Sequence, residues 1–209
     1  MLGIVGGHRF SRTAPPPTRL WATPRDARGV SAVAEIIGSR HTRRVSVDGS
    51  TVSESVEYRS IDPLVVYAVE GSAAGPGAVG PVVGPLIVRL DAALSAAGHP
   101  ILEPSVFWYE STPGSDDIVV NVSYPAGPDP KPGVGYSVVT LPAIPTAATL
   151  LHRGDMSGIG DSWMSLFDQL RADGYTAVGP TREVYLEAVG HDPGPDWVTE
   201  LQVPVERAR

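Results

Sequence analysis

The segment Thr181–Glu187, TREVYLE, carries the side chains best suited to hold a small molecule. If this segment is a β-strand, Glu183 and Tyr185 lie on one face, and we expect Val184 and Leu186 to face the helices. A carboxylate beside aromatic rings attracts a lipophilic cation, with about 0.5–2 kcal/mol from each cation–π contact. The pattern therefore predicts a binding site for hydrophobic, often cationic molecules. The alternative is a glutamate that is solvated, or one that is paired with a neighbour such as Arg182 or Arg153.

The sequence offers little support for other chemistry. It has no cysteine, and its five histidines are scattered without H-E-x-x-H spacing, so we expect neither a metal site nor a cofactor. Gly75, Gly77 and Gly80 match G-x-G-x-x-G, but the interspersed prolines remove the backbone donors that a pyrophosphate needs. We predict instead a flexible loop at the mouth of a pocket. No G-x-S-x-G elbow is present.

An internal repeat extends the predicted site to a second strand. Residues Leu94–Tyr109 align without a gap with Leu170–Tyr185, at an offset of 76 residues. This alignment places Phe107 and Tyr109 on the equivalent face of the first half. If the halves meet about a pseudo-twofold axis, these rings converge with Glu183 and Tyr185 on one cleft.

The repeat predicts an α+β fold of two strand-helix-strand-strand modules with an antiparallel sheet and two main helices. Predicted elements of the first half are a strand over residues 56–70, a helix from near Pro85 to Gly98, and a hairpin around TPGSDD. Those of the second half are a strand over 134–152, a helix over about 156–173, and strands over 182–187 and 197–205 joined by AVGHDPGPD. The repeats span about 52–127 and 132–206.

Charge and proline content separate the N-terminal part from this ligand-binding domain of residues 46–209. Residues 1–45 carry eight of the sixteen basic residues and four prolines, which predicts a disordered basic extension. The rest of the chain is acidic and repels nucleic acid. We expect a cytoplasmic protein that binds no nucleic acid by itself and no membrane. The sequence leaves open whether it forms a homodimer.

Three segments in order, HRGDMSGIGDSW, LRADGYTAVGPTREVYLE and DWVTELQVPV, resemble the GyrI-like domain. That domain is the effector-binding half of several AraC-type and MerR-type multidrug regulators and also occurs alone. The resemblance implies an SHS2-type pair of modules with a ligand pocket at their junction and Glu183 at its base. The family more usually has an aromatic residue soon after the His-Arg-Gly turn, whereas this chain has Asp155 and Met156. Trp163 is expected to replace that aromatic residue.

The resemblance leaves three functions open. The favoured one is a binding protein for drugs or dyes, with lining residues Glu183, Tyr185, Phe107, Tyr109, Trp163 and Tyr67. The second is a hydrolase of strained cyclopropane-bearing genotoxic compounds, with Glu183 as the catalytic residue. The third is a module that interacts with gyrase or with a regulator. Haem binding has less support, because His152 is the one plausible ligand.

Overall fold

The computed structural model describes residues 55–188 and 194–208, which form one antiparallel sheet with two helices packed on it. The predicted extension of residues 1–45 lies outside this range, as does part of the predicted AVGHDPGPD loop. The strands are β1 Glu57–Ile61, β2 Leu64–Ala73, β3 Ser105–Ser111, β4 Ile118–Pro125, β5 Ser137–Leu141, β6 Ile144–Arg153, β7 Tyr175–Ala177, β8 Thr181–Glu187 and β9 Val198–Arg207. The helices are α1 Val79–Ala97, preceded by a 3-10 turn Pro76–Ala78, and α2 Ile159–Ala172. The α+β prediction is confirmed.

The strand order is β1-β6-β9-β8-β3-β4-β2-β5, with β7 pairing to the end of β9. Outward from the central β3–β8 pair, each side has a hairpin partner, then the strand that precedes a helix, then an edge strand from the other half of the chain. At the centre, Phe107 pairs with Glu183, the two positions that the 76-residue offset equates. Two repeated modules would give this order, although their duplication stays a prediction.

The sheet is curled, and the chain connections require it. Two residues, Asp62 and Pro63, join β1 to β2, and two more, Pro142 and Ala143, join β5 to β6. Such a link spans about 10 Å at most. In a flat sheet each joined pair would be six strand spacings apart, about 29 Å. The two ends of the sheet must therefore bend toward each other.

The curl produces a core on the face of the sheet away from the helices. Val66, Val106, Trp108 and Val184 are buried there together with Ala68 and Leu141. We predicted that Val184 and Leu186 would face the helices, and this is wrong: Val184 lies in the reverse-face core and Leu186 is exposed. The reason is that period-two alternation separates two faces without saying which one the helices cover.

Buried Arg182 also projects from this reverse face. Its Nη2 donates a hydrogen bond of 2.9 Å to the Pro142 carbonyl in the β5–β6 connection. Burial lowers the pKa of its guanidinium. The pairing of Arg182 with Glu183 that we considered as an alternative is therefore not formed, because neighbouring residues of a strand point to opposite faces.

Helix α1 packs on β2 and β4 through buried Leu86, Leu90 and Leu94. The segment Pro76–Ala97 is long and apolar enough to cross a membrane, but the burial of these leucines against the sheet makes it a core helix. It ends as predicted at Gly98, whose left-handed conformation (φ 72°) lets its N–H reach the Leu94 and Ser95 carbonyls.

Several predicted boundaries of the elements are wrong. Helix α1 begins at Val79, so the glycine-rich segment is helical and not a flexible loop, and Pro85 lies inside the helix. The hydrophobic spacing continues upstream of Pro85 to buried Val83. The burial of this side chain outweighs the loss of the one backbone hydrogen bond that the proline cannot donate. Each long predicted strand is interrupted by a proline connection, and β7 was not predicted.

We predict that Leu90→Ala destabilises the protein by about 2–5 kcal/mol, because Leu90 is fully buried on the sheet-facing side of α1 and its truncation leaves a cavity. Val88→Ala on the same helix is the control, since Val88 is 68% exposed, and we expect a change within about 0.5 kcal/mol. Urea unfolding measures both. Similar losses in the two variants would contradict the packing of α1 described above.

Candidate functional site

Glu183 lies on the helix-facing side of the sheet, in the strip between the two helices. Helix α1 covers β2 and β4, and α2 covers β6 and β7, so the central strands β3 and β8 lie between them. Antiparallel pairing sets Phe107 directly opposite Glu183 and Tyr109 opposite Thr181. The side chain of Glu183 is only 5% exposed.

Three neutral donors bind the Glu183 carboxylate. The hydroxyls of Tyr109 and Tyr185 each donate to Oε2 at 2.7 Å, and Trp163 Nε1 donates to Oε1 at 3.0 Å. Within residues 55–188 and 194–208, no basic side chain forms an ion pair with it. The solvated glutamate of the alternative interpretation is thus not what the structure has. The three hydrogen bonds offset the cost of removing this charge from water.

Each donor is positioned by a different element. Tyr109 comes from β3 and Tyr185 from β8, and Trp163 comes from the first turns of α2, whose buried face also includes Leu166 and Phe167. Trp163 stacks on Phe167 with ring centroids 5.8 Å apart, which fixes the direction of its indole N–H. Strands β3 and β8 and helix α2 therefore meet at one carboxylate.

Aromatic side chains surround this group. Phe107 packs on Tyr185 with centroids 4.7 Å apart, and Trp197 meets Tyr185 edge-on at 6.0 Å. Met156 belongs to the same buried cluster. Met156 and Trp197 come from the two loops that follow β6 and precede β9, and both were absent from our predicted lining, because periodicity does not place loop residues.

Tyr67 belongs to the same buried cluster but lies in a different part of it. It stacks on His99 with centroids 4.7 Å apart and contacts Tyr136 edge-on. Its strand β2 is three positions from β8 in the sheet, about 14 Å away. The structure therefore brings together Glu183, Tyr185, Phe107, Tyr109 and Trp163, while the predicted role of Tyr67 gains no contact with the carboxylate.

Two open grooves lie elsewhere on the described surface. One of about 390 Å³ is lined by residues that include Glu70, Arg89 and Asn121, and one of about 340 Å³ by residues that include Tyr175 and Arg207. None of the side chains around Glu183 lines either groove. The buried carboxylate is a stronger candidate for a binding site than these grooves, because buried charges in proteins are usually paired and this one has no basic partner among the described residues.

His152 is also buried near α2, but both ring nitrogens are engaged. Nδ1 is 2.9 Å from Ser162 Oγ and Nε2 is 3.0 Å from the Asp155 carbonyl oxygen. A haem iron would need one of these nitrogens, so His152 would have to break a hydrogen bond to bind it.

The environment of the two tyrosines keeps them protonated. Burial, followed by the nearby charge of Glu183, raises the pKa of Tyr109 and of Tyr185 well above 10. The phenols thus remain hydrogen-bond donors at neutral pH. Unfolded tyrosine loses its proton near pH 10, so above that pH the unfolded state binds fewer protons than the folded state and stability falls as pH rises.

We predict that Tyr109→Phe/Tyr185→Phe weakens this alkaline loss of stability. Each tyrosine contributes at most about 1.4 kcal/mol per pH unit above pH 10, and phenylalanine contributes none. Urea unfolding of wild type and the double variant between pH 8 and 11 measures the slopes. The variant is expected to be less stable at pH 8, since the carboxylate loses two donors, so the slope is the decisive quantity. Equal slopes would show that these phenols are not held protonated.

Comparison with known proteins agrees with this architecture. The model of the GyrI-like small molecule binding domain matches residues 69–206. No curated protein matches the chain. The C-terminal domain of EcmrR is 19% identical, with a TM-score of 0.59, over 75% of this chain and 100% of that one.

Two further solved structures share the fold. SAV2435 bound to tetraphenylphosphonium is 11% identical, with a TM-score of 0.55, over 73% of this chain and 94% of that one. A hydrolase encoded by lin2189 from Listeria innocua is 12% identical, with a TM-score of 0.52, over 74% and 94%. At these identities the structures establish the fold alone. Because the family model covers most of its length, this chain belongs to the GyrI-like small-molecule-binding domain family.

Proposed function

We propose that this chain binds hydrophobic, often cationic small molecules between its two halves, with Glu183 as the counter-charge. The observation that carries the proposal is a buried carboxylate held by three neutral donors and by no basic side chain of the described residues. Neutral donors stabilise the anion but leave its charge uncompensated. A ligand cation would complete the pair.

The surrounding rings suit the body of such a ligand. Phe107, Tyr109, Tyr185 and Trp163 lie around the carboxylate, and aromatic faces attract a cation while their area binds apolar groups. We propose that the ligand enters between α1 and α2 by moving Met156 and Trp197, which come from loops and not from the sheet. The tetraphenylphosphonium bound to SAV2435, a protein of the same fold, is a ligand of this chemistry.

We predict that tetraphenylphosphonium binds the wild-type protein and that Glu183→Gln weakens its affinity at least about tenfold, since a buried charge pair is lost. Glu187→Gln is the matched control: it makes the same chemical change on the same strand, at an exposed position. Titration calorimetry gives the affinities.

The anion tetraphenylborate has nearly the same shape and the opposite charge. We expect it to bind wild type more weakly than the cation does, and Glu183→Gln to reduce that preference. Equal affinity of the cation for wild type and Glu183→Gln would refute Glu183 as the counter-charge. Equal losses in the two glutamine variants would refute it as well.

A hydrolase acting on strained cyclopropane-bearing alkylators is the second candidate. It is favoured by a carboxylate in direct contact with two protonated phenols, because the carboxylate can accept a proton from water while a phenol donates one to the leaving group. A structure of the same fold is described as a hydrolase.

Turnover separates the two candidates. We expect a strained cyclopropane-bearing alkylator in tenfold excess to be consumed by a binding protein to one equivalent at most. Consumption of the whole excess, abolished by Glu183→Gln and retained by Glu187→Gln, would establish the hydrolase. Product formation followed by chromatography measures this.

A further inference from the structure

Two threonine hydroxyls near Glu183 are buried without a hydrogen-bond partner. Thr181 is 3% exposed and Thr199 is 0% exposed, and the Oγ1 atom of each is unpartnered in the described part of the chain. Buried hydroxyls are normally satisfied, because an unpaired one has lost its bonds to water and gained nothing. Valine would fill the same volume on a strand without this cost. The hydroxyls therefore call for an explanation.

Both threonines project from the face of the sheet that carries the site. Thr181 is two residues from Glu183 on β8 and so shares its face, and it pairs across the sheet with Tyr109. Thr199 of β9 pairs with Tyr185, which shares that face too. Each threonine with an unpartnered hydroxyl therefore lies directly across the sheet from one of the two tyrosines that bind the carboxylate.

The two positions lie on opposite sides of Glu183 along the strands. Thr199 lies opposite Tyr185. Tyr185 is four residues from Thr181 along β8, which is about 13 Å at the rise of a β-strand. Glu183 is in the middle of that interval. A ligand that places its cation at Glu183 would therefore extend one part toward Thr181 and another toward Thr199.

We propose that Thr181 and Thr199 determine ligand specificity, and that the ligand class is an organic cation with hydrogen-bonding oxygen or nitrogen atoms on both sides of its charge. This inference rests on the proposed binding function and narrows it. The carboxylate and the rings select charge and apolar area. The hydroxyls select ligands with polar atoms over purely apolar cations, because only the former satisfy them.

The test compares two phosphonium probes of equal charge. Tetraphenylphosphonium has no hydrogen-bonding atom, whereas its analogue with para-methoxy groups on two rings has an acceptor oxygen on each of them. Affinities are measured for wild type, Thr181→Val, Thr199→Val and the double variant. We expect the ratio of analogue to parent affinity to fall about three- to tenfold with each lost hydroxyl, and the affinity for the parent to stay unchanged.

Thr149→Val is the matched control. Thr149 is equally buried, but its hydroxyl donates to the Glu57 carbonyl at 3.4 Å on the reverse face. It should lower the melting temperature and leave both affinities unchanged. Thr181→Val and Thr199→Val should keep or raise the melting temperature, since they remove unpartnered groups.

The outcomes are separable. If both probes bind and the ratio is the same in all variants, the threonines are strand filling and this inference fails while the proposed function stands. If Thr181→Val and Thr199→Val lower the melting temperature as Thr149→Val does, the hydroxyls have partners in the free protein and the inference also fails. If neither probe binds wild type, the proposed function fails and the inference fails with it.

Discussion

The structure is organised around one buried negative charge without a positive partner in the described part of the chain. Removing a carboxylate from water costs several kcal/mol even in a relaxed protein. Three charge-assisted hydrogen bonds, from Tyr109, Tyr185 and Trp163, offset much of this free-energy cost. They hold Glu183 in one geometry, and they do so only if β3, β8 and α2 are all in place. The register that sets Phe107 opposite Glu183 and the angle of α2 are thus coupled through a single side chain.

The curl of the sheet allows the central strands β3 and β8 to be covered by apolar side chains on both faces. Short proline-containing connections, Asp62–Pro63 and Pro142–Ala143, bring the ends of the sheet together and create a core behind β3 and β8. Arg182, next to Glu183 in sequence, points into that reverse side and bonds the Pro142 carbonyl. Adjacent charged residues are thereby separated by the thickness of the sheet, which keeps the guanidinium from neutralising the carboxylate.

The sequence was enough to group the side chains of the candidate site, but not to place their surroundings. Period-two alternation and the 76-residue offset were enough to group Glu183, Tyr185, Phe107 and Tyr109, because strand geometry is rigid and the repeat aligns without a gap. The prediction that Val184 and Leu186 face the helices was wrong, since alternation carries no information on which face of the sheet the helices cover. Thr181 and Thr199 were not identified, because a threonine in a strand is ordinary until its hydroxyl is known to be buried and unpaired. Met156 and Trp197 depend on loops, for which no periodicity exists.

The groups of the candidate site around Glu183 lower the stability of the folded protein. Glu183 has no basic partner and the hydroxyls of Thr181 and Thr199 have no hydrogen-bond partner among residues 55–188 and 194–208, and each of these groups raises the free energy of the unliganded protein. In the proposed function the same groups make binding more favourable, because a ligand that satisfies them recovers the free energy that they cost the unliganded protein. Apolar clusters on both faces of the sheet, and helices packed on β2, β4, β6 and β7, supply the stability that offsets this cost. The proposal therefore implies that making Thr181 and Thr199 apolar lowers the preference for ligands with polar atoms, even if the protein becomes more stable.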